Sequence, residues 1–159
     1  MIENSLLGSL ALAFLSDCRI RFLCLLTLML PKFQVGDRKK FERIVSEEDT
    51  ANFESGAVHE VYATFALTRD AEWSGRLFVL EMKEEHEEGI GTFVNVKHLA
   101  PALIGEKVLF EAMIDEIKGN EVNCSFQAKV GERLIAEGKT GQKILTKERI
   151  GKIFREIEK

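Results

Sequence analysis

The chain has 159 residues, enough for one ordinary domain with a buried core. It is 45% apolar and 30% charged, a globular balance that excludes a disordered or fibrous chain. A net charge of -4 argues against nucleic-acid binding, whose usual footprint is a basic field. The three scattered cysteines, Cys18, Cys24 and Cys124, form no CxxC pair. They speak against a disulfide framework or a zinc site and point to a reducing, cytoplasmic setting.

Residues 1–30 stand apart in composition: Leu6 to Leu15 and Ile20 to Leu30 are apolar runs around "SDCRIR". Read as a single membrane helix, they place Asp17, Arg19 and Arg21 near mid-bilayer, at roughly 8–10 kcal/mol against insertion. Each half alone is too short to span. Glu3 occupies the place of a basic n-region, and no clear small-x-small cleavage site follows. We therefore expect an apolar extension outside the fold over 1–30 and a domain over 31–159. Met29 reads as the natural start, with residues 1–28 upstream of it. A membrane role is expected only if that extension is retained and associates with one.

Phe33 to Ser46 mixes Phe33, Val35, Phe41, Ile44 and Val45 with charges and predicts a first strand. "SEEDTANFESGAVHEV", from Ser46 to Val61, reads as a loop or lid. From Thr64 to Lys83, the spacing of Leu67, Ala71, Ser74 and Phe78 predicts an amphipathic helix of roughly five turns. "KEEHEEG" is its acidic exit, with Gly89 expected as the stop.

Strands follow. Thr92, Val94, Val96 and His98 alternate with Phe93, Asn95 and Lys97, and Pro101 ends the run. Val108, Phe110, Ala112 and Ile114 share one face of the next strand. Gly119-Asn120 then centres a tight hairpin. Val122, Cys124, Phe126, Ala128 and Val130 alternate in turn, Gly131 marks another turn, and Leu134 to Leu145 makes the last strand. Lys147 to Lys159 predicts a short amphipathic helix. A sheet with one apolar face must cover it, and the long helix is the available cover. The expected class is α+β: a curved antiparallel sheet wrapped around one long central helix, with a short C-terminal helix.

Three residues are candidates for the chemistry: Thr64 in "YAT", Glu72 in "AEW" and His98 in "VKH". Their spacing, with "EVYATFALTRDAEWSGRLFVLEM" and "GIGTFVNVKHLAPALIGEKV" around them, resembles the hotdog-fold acyl-CoA thioesterases, specifically the fluoroacetyl-CoA thioesterase-like group. The likeness spans about Phe33 to Ile144, and Gly105 and Gly138 fall in step. It implies Glu72 as nucleophile or general base, His98 as acid/base and Thr64 as hydrogen-bonding partner. It also implies that Gly91 brings a strand backbone close to the acyl group. Active sites at a dimer interface follow from it too, so a homodimer or dimer of dimers is expected.

The residue types suit that reading. Thioester hydrolysis needs a carboxylate to attack or to activate water, and a proton donor for the thiolate. If Thr64 caps the helix, its first-turn N–H groups favour an oxyanion nearby. Each residue also has a plainer reading: Glu72 as an exposed helix salt bridge with Arg69 and Arg76, His98 as a satisfied strand-end ring, Thr64 as a cap alone. His59 and His86 read as solvated, and a metal site from three dispersed histidines is not expected. Lys97 and Lys107 are candidate contacts for the CoA phosphates.

Two departures from the group bear on substrate. Its aromatic gate residue is replaced by Val58, so fluoroacetyl selectivity is not expected. Its His-x-Arg on the last strand is replaced by Thr140-Gly141-Gln142, which puts Gln142 where a guanidinium clamp would stand. The expected function is hydrolysis of an acyl-CoA to free acid and CoA, without metal or redox cofactor. The alternative is a non-catalytic acyl-CoA-binding or sensing protein. An enoyl-CoA hydratase is disfavoured by the lack of its Asp and His motif.

Overall fold

Period-two alternation of apolar and polar residues builds the sheet. On β5 (Lys107–Lys118) Val108, Phe110, Ala112 and Ile114 are buried, and on β6 (Glu121–Val130) so are Val122, Cys124, Phe126 and Ala128. The register sets large against small, with Phe110 opposite Ala128 and Ala112 opposite Phe126, within one buried apolar layer. Phe41 of β1 (Arg38–Ile44) stacks on Phe110 at 4.9 Å. The computed structural model describes residues 32–158. The expectations for residues 1–30 lie outside them.

With β4 (Glu87–His98) and β7 (Arg133–Thr146), these strands form a five-stranded antiparallel sheet in the order β1-β5-β6-β7-β4. Helix α1 (Thr64–Met82) covers its apolar face with Leu67, Ala71, Ser74, Phe78 and Val79, all buried. A shorter helix, α2 (Lys147–Ile157), follows β7, capped by the Thr146 hydroxyl, which accepts from the Arg149 N–H. The expected hotdog architecture is what folds. Among the described residues no helix is long and apolar enough to cross a membrane.

Four local expectations need correction. The first strand is shorter than Phe33 to Ser46. Residues 46–61 are not a loop: a 3-10 turn (Glu47–Asp49) leads into a hairpin of β2 (Thr50–Phe53) and β3 (Gly56–Tyr62). Its short, irregular register weakens the alternation that would have revealed it. Helix α1 stops at Lys83, whose backbone is extended, and Gly89 instead lies within β4. A Cβ on Gly89 would stand 2.5 Å from Val79 Cγ1, so glycine lets the strand pass close to the helix. In the β5–β6 hairpin Gly119 alone supplies the positive φ, at 61°.

Asp70 anchors α1 from its buried flank. It is 1% exposed and takes two hydrogen bonds from Arg43 of β1, two from Arg69 and one from the Tyr62 hydroxyl of β3. Arg69 also reaches Asp49 at 2.7 Å, and Ser46 closes the other side of that carboxylate at 2.8 Å. Burial would push both carboxyls up. Hydrogen bonds, chiefly from Arg69, outweigh it and leave them below the usual carboxylate range. Their folded values thus lie under the unfolded 3.8, so the stability they contribute is present above that pH and drains away as pH falls through the folded values. Replacing Asp70 by Asn is expected to cost about 3 kcal/mol in urea unfolding at neutral pH, because two guanidinium groups lose their anion. It should also flatten the acid limb of the stability profile. A loss within about 0.5 kcal/mol would contradict this account.

Candidate active site

The end of β4 meets the start of α1. Thr64 is the first helical residue, after an extended Ala63, and its hydroxyl does not cap the helix as expected. It lies instead 3.0 Å from His98 Nδ1. The other ring nitrogen, Nε2, is 3.0 Å from the Ala100 carbonyl. A carbonyl only accepts, so Nε2 carries the proton of the neutral ring and Nδ1 accepts from the Thr64 hydroxyl. The chain turns into Pro101 just there, with the Ala100 N–H held by the Ile135 carbonyl at 3.2 Å. That turn aims the Ala100 carbonyl back at the ring, which is why a histidine ends this strand.

Glu72 sits elsewhere. It is half-buried, and Gln142 Nε2 of β7 donates to its Oε1 at 3.3 Å. Among the described residues neither Arg69 nor Arg76 pairs with it: Arg69 turns to Asp70 and Asp49, Arg76 to Glu88 and the Gly89 carbonyl. The exposed helix salt bridge is therefore not formed. A Cβ on Gly91 would lie 2.2 Å from Glu72 Oε1, so only a glycine lets this carboxylate rest against β4. Gln142 is 2% exposed, and its Oε1 has no hydrogen-bond partner among the described residues.

A bulge decides which way Gly91 looks. The β4–β7 ladder pairs Gly91 with Gln142 and Phe93 with Gly141, leaving Thr92 over. Side chains of both Thr92 and Phe93 lie over Gly141, so Thr92 leaves the valine face that simple alternation gave it. Val94, Val96 and His98 keep that face, and Gly91 joins it. Both clusters thus open on the helix side of one strand.

They do not meet within the chain. Thr64 and Glu72 are eight residues apart, about 12 Å along the helix axis. Gly91 and His98 are seven residues apart, roughly 23 Å along the strand. Val58 lies on β3, 52% exposed, and belongs to neither pair. The hairpin it sits on touches α1 through Phe53, edge-on to Phe65 at 5.7 Å. Lys97 is exposed on β4, whereas Lys107 pairs with Glu42 at 3.0 Å. His59 and His86 are exposed, as expected.

Sequence reasoning missed the Ala100 carbonyl and the group around Asp70. The second left a signal: an aspartate between Leu67, Ala71 and Ser74 lies on the buried flank of a helix and must find cations.

The antiparallel sheet wrapped on one long helix, with carboxylate, hydroxyl and imidazole at its edge, defines a hotdog thioesterase fold. The family model for the fluoroacetyl-CoA-specific thioesterase, FlK, matches residues 45–148, and the chain belongs to that family. A thioesterase superfamily member from Thermus thermophilus is 37% identical, with a TM-score of 0.76 over 81% of this chain and 96% of its own. A hot-dog-like protein from Thermanaerovibrio acidaminovorans is 26% identical, with a TM-score of 0.72 over 78% of this chain and 92% of its own. The fluoroacetyl-CoA thioesterase FlK is 22% identical, with a TM-score of 0.72 over 78% of this chain and 96% of its own, a likeness of fold. No curated protein matches the chain.

Gly91→Ala is expected to push the Glu72 carboxylate off β4 and break its bond to Gln142, at a cost of about 1–2 kcal/mol. A crystal structure of the variant checks this. Glu72 unmoved in it would refute the close-approach argument.

Proposed function

We propose that the chain hydrolyses an acyl-CoA thioester to a free acid and CoA. In this reading it acts as a homodimer, with each site combining Glu72 of one protomer with the Thr64–His98 pair of the other. Family membership supports acyl-CoA thioester hydrolysis in general. The observation that carries the finer reading is the split constellation: Thr64 bonded to His98 at one end of β4, Glu72 resting on Gly91 near its other end.

The shape of β4 favours the dimer. It is an edge strand, hydrogen-bonded to β7 on one side only. A twofold antiparallel pairing through its open edge, centred between Val94 and Asn95, would set His98 opposite Gly91 of the partner subunit. The bulge at Thr92 turns both residues to the same face. Such a pairing also satisfies backbone groups that an edge leaves open. A dimer of dimers is compatible with the same interface.

In that site the thioester carbonyl lies between the two groups. Glu72 takes a proton from the attacking water, or attacks the carbonyl carbon itself to form an anhydride that water then cleaves to the free acid. The free N–H groups in the first turn of α1, beside Thr64, favour the developing oxyanion. The thiolate leaves with a proton. That proton is the one the water gives up: His98 receives it at Nδ1 through the Thr64 hydroxyl, since its Nε2 is occupied by the Ala100 carbonyl, and returns it by the same route. No metal or redox cofactor is needed for these steps. With Val58 in place of an aromatic gate, the acyl group is not confined to fluoroacetyl.

One observation favours a second reading, acyl-CoA binding or sensing without turnover. Glu72 takes its hydrogen bond from an amide, Gln142, rather than from a guanidinium. Thiol release from short, branched and aryl acyl-CoAs separates the two. Glu72→Ala and His98→Ala are each expected to lower kcat by about 10²–10⁴-fold. Undiminished turnover in either variant would refute the assignment, and tight binding with no turnover by the wild type would establish the sensor.

A further inference from the structure

Between α1 and the sheet's β1 side lies a cavity of about 390 Å³ lined by Arg43, Arg69, Asp70, Glu72, Trp73 and Arg76. Three guanidinium groups and an indole share it with two carboxylates, while Asp49 and Glu88 pair with Arg69 and Arg76 from outside the lining. Glu72 forms one wall, so the cavity adjoins the carboxylate assigned to the chemistry.

Arg76 gives one N–H from each terminal nitrogen to the Gly89 carbonyl and to Glu88, whereas Arg43 and Arg69 are held rather than spent. Arg43 gives Nε and one terminal nitrogen to Asp70 at 2.9 Å each. Arg69 likewise commits Nε and one terminal nitrogen to Asp70 and Asp49. A guanidinium has five N–H donors in a rigid fork. The second terminal nitrogen of each, with two N–H groups, therefore has no partner among the described residues. Asp70 is buried, so its fork bonds fix both planes before any ligand arrives, which lowers the ordering cost of binding. Hydrogen bonds to Asp70 and Asp49 raise the pKa of Arg69 above its ordinary value, so it stays charged at any working pH. Trp73 is 41% exposed beside them, an apolar face with no ring partner among the described residues.

We propose that this cavity binds an anionic oxygen group carried by the substrate, with Arg43, Arg69 and Arg76 as the clamp and Trp73 as the platform for the atoms joined to it. The proposal rests on the acyl-CoA reading above. Two parts of such a substrate have this chemistry: the phosphates of CoA, with adenine for the indole, or a carboxylate at the far end of the acyl group. Carboxylate and phosphate both suit a planar fork of donors.

Trp73 is the one tryptophan of the chain, so its fluorescence reports on this cavity directly. The full chain is titrated with adenosine 3′,5′-bisphosphate, with glutarate, and with uncharged pantetheine. A saturable change with the bisphosphate assigns the cavity to the CoA phosphates, and one with glutarate assigns it to an acidic acyl group. Either is expected to weaken at least tenfold in Arg69→Gln and in Arg76→Gln, the second leaving the Asp70 bonds intact. No response to either anion, an equal response to pantetheine, or undiminished binding in both variants would overturn the proposal. Thiol-release assays fail independently of this readout: binding without turnover sinks the hydrolase and keeps the cavity, and turnover with no anion response does the reverse.

Discussion

A 3.0 Å hydrogen bond joins the first residue of α1 to the last residue of β4, and Glu72 touches Gly91 farther along the same two elements. These two contacts hold the helix against the edge of the sheet. Close approach at the second requires the absence of a side chain at Gly91. The first requires a histidine whose remaining nitrogen is satisfied by the backbone, at a turn that proline enforces. Every chemical property of the site follows from how this helix and this strand are held together.

The Asp70 group holds the same helix from its other flank. Arg43 ties α1 to β1, Tyr62 ties it to β3, and Asp49 ties it to the turn before β2. Both ends of the β2–β3 hairpin are therefore fastened to the helix, at Arg69 and Asp70, three and two residues before Glu72. A buried carboxylate that satisfies two arginines is costly to disturb, so the helix cannot slide without breaking ionic bonds. The same bonds leave fixed guanidinium donors on that flank of the helix, next to Glu72.

Much of this was legible in the residues. Clean alternation on β5 and β6 gave the buried face, and the three- and four-residue spacing of Leu67, Ala71, Ser74 and Phe78 gave the helix. What escaped was local and physical. The β2–β3 hairpin is too short and irregular for a periodic signal. The bulge at Thr92 reverses the expected facing of Gly91, and alternation counted through it assigns Thr92 to the wrong side. The extended backbone at Lys83 ended α1 without a glycine. Thr64, Glu72 and His98 were picked out by residue type, spacing and resemblance. Their division into two groups depends on the direction in which α1 crosses β4, which no sequence pattern states.

That division makes the partnership of two subunits the central claim, and a subunit-mixing experiment addresses it most directly. Glu72→Ala and His98→Ala chains, each inactive alone, are unfolded together and refolded as a mixture. Half of the random dimers then contain one chain of each kind, and each such dimer regains one intact site. Thiol release should return to about one quarter of the wild-type rate per chain. Activity no higher than that of the separate variants would show that the two residues do not serve one site across subunits, and the account would fall.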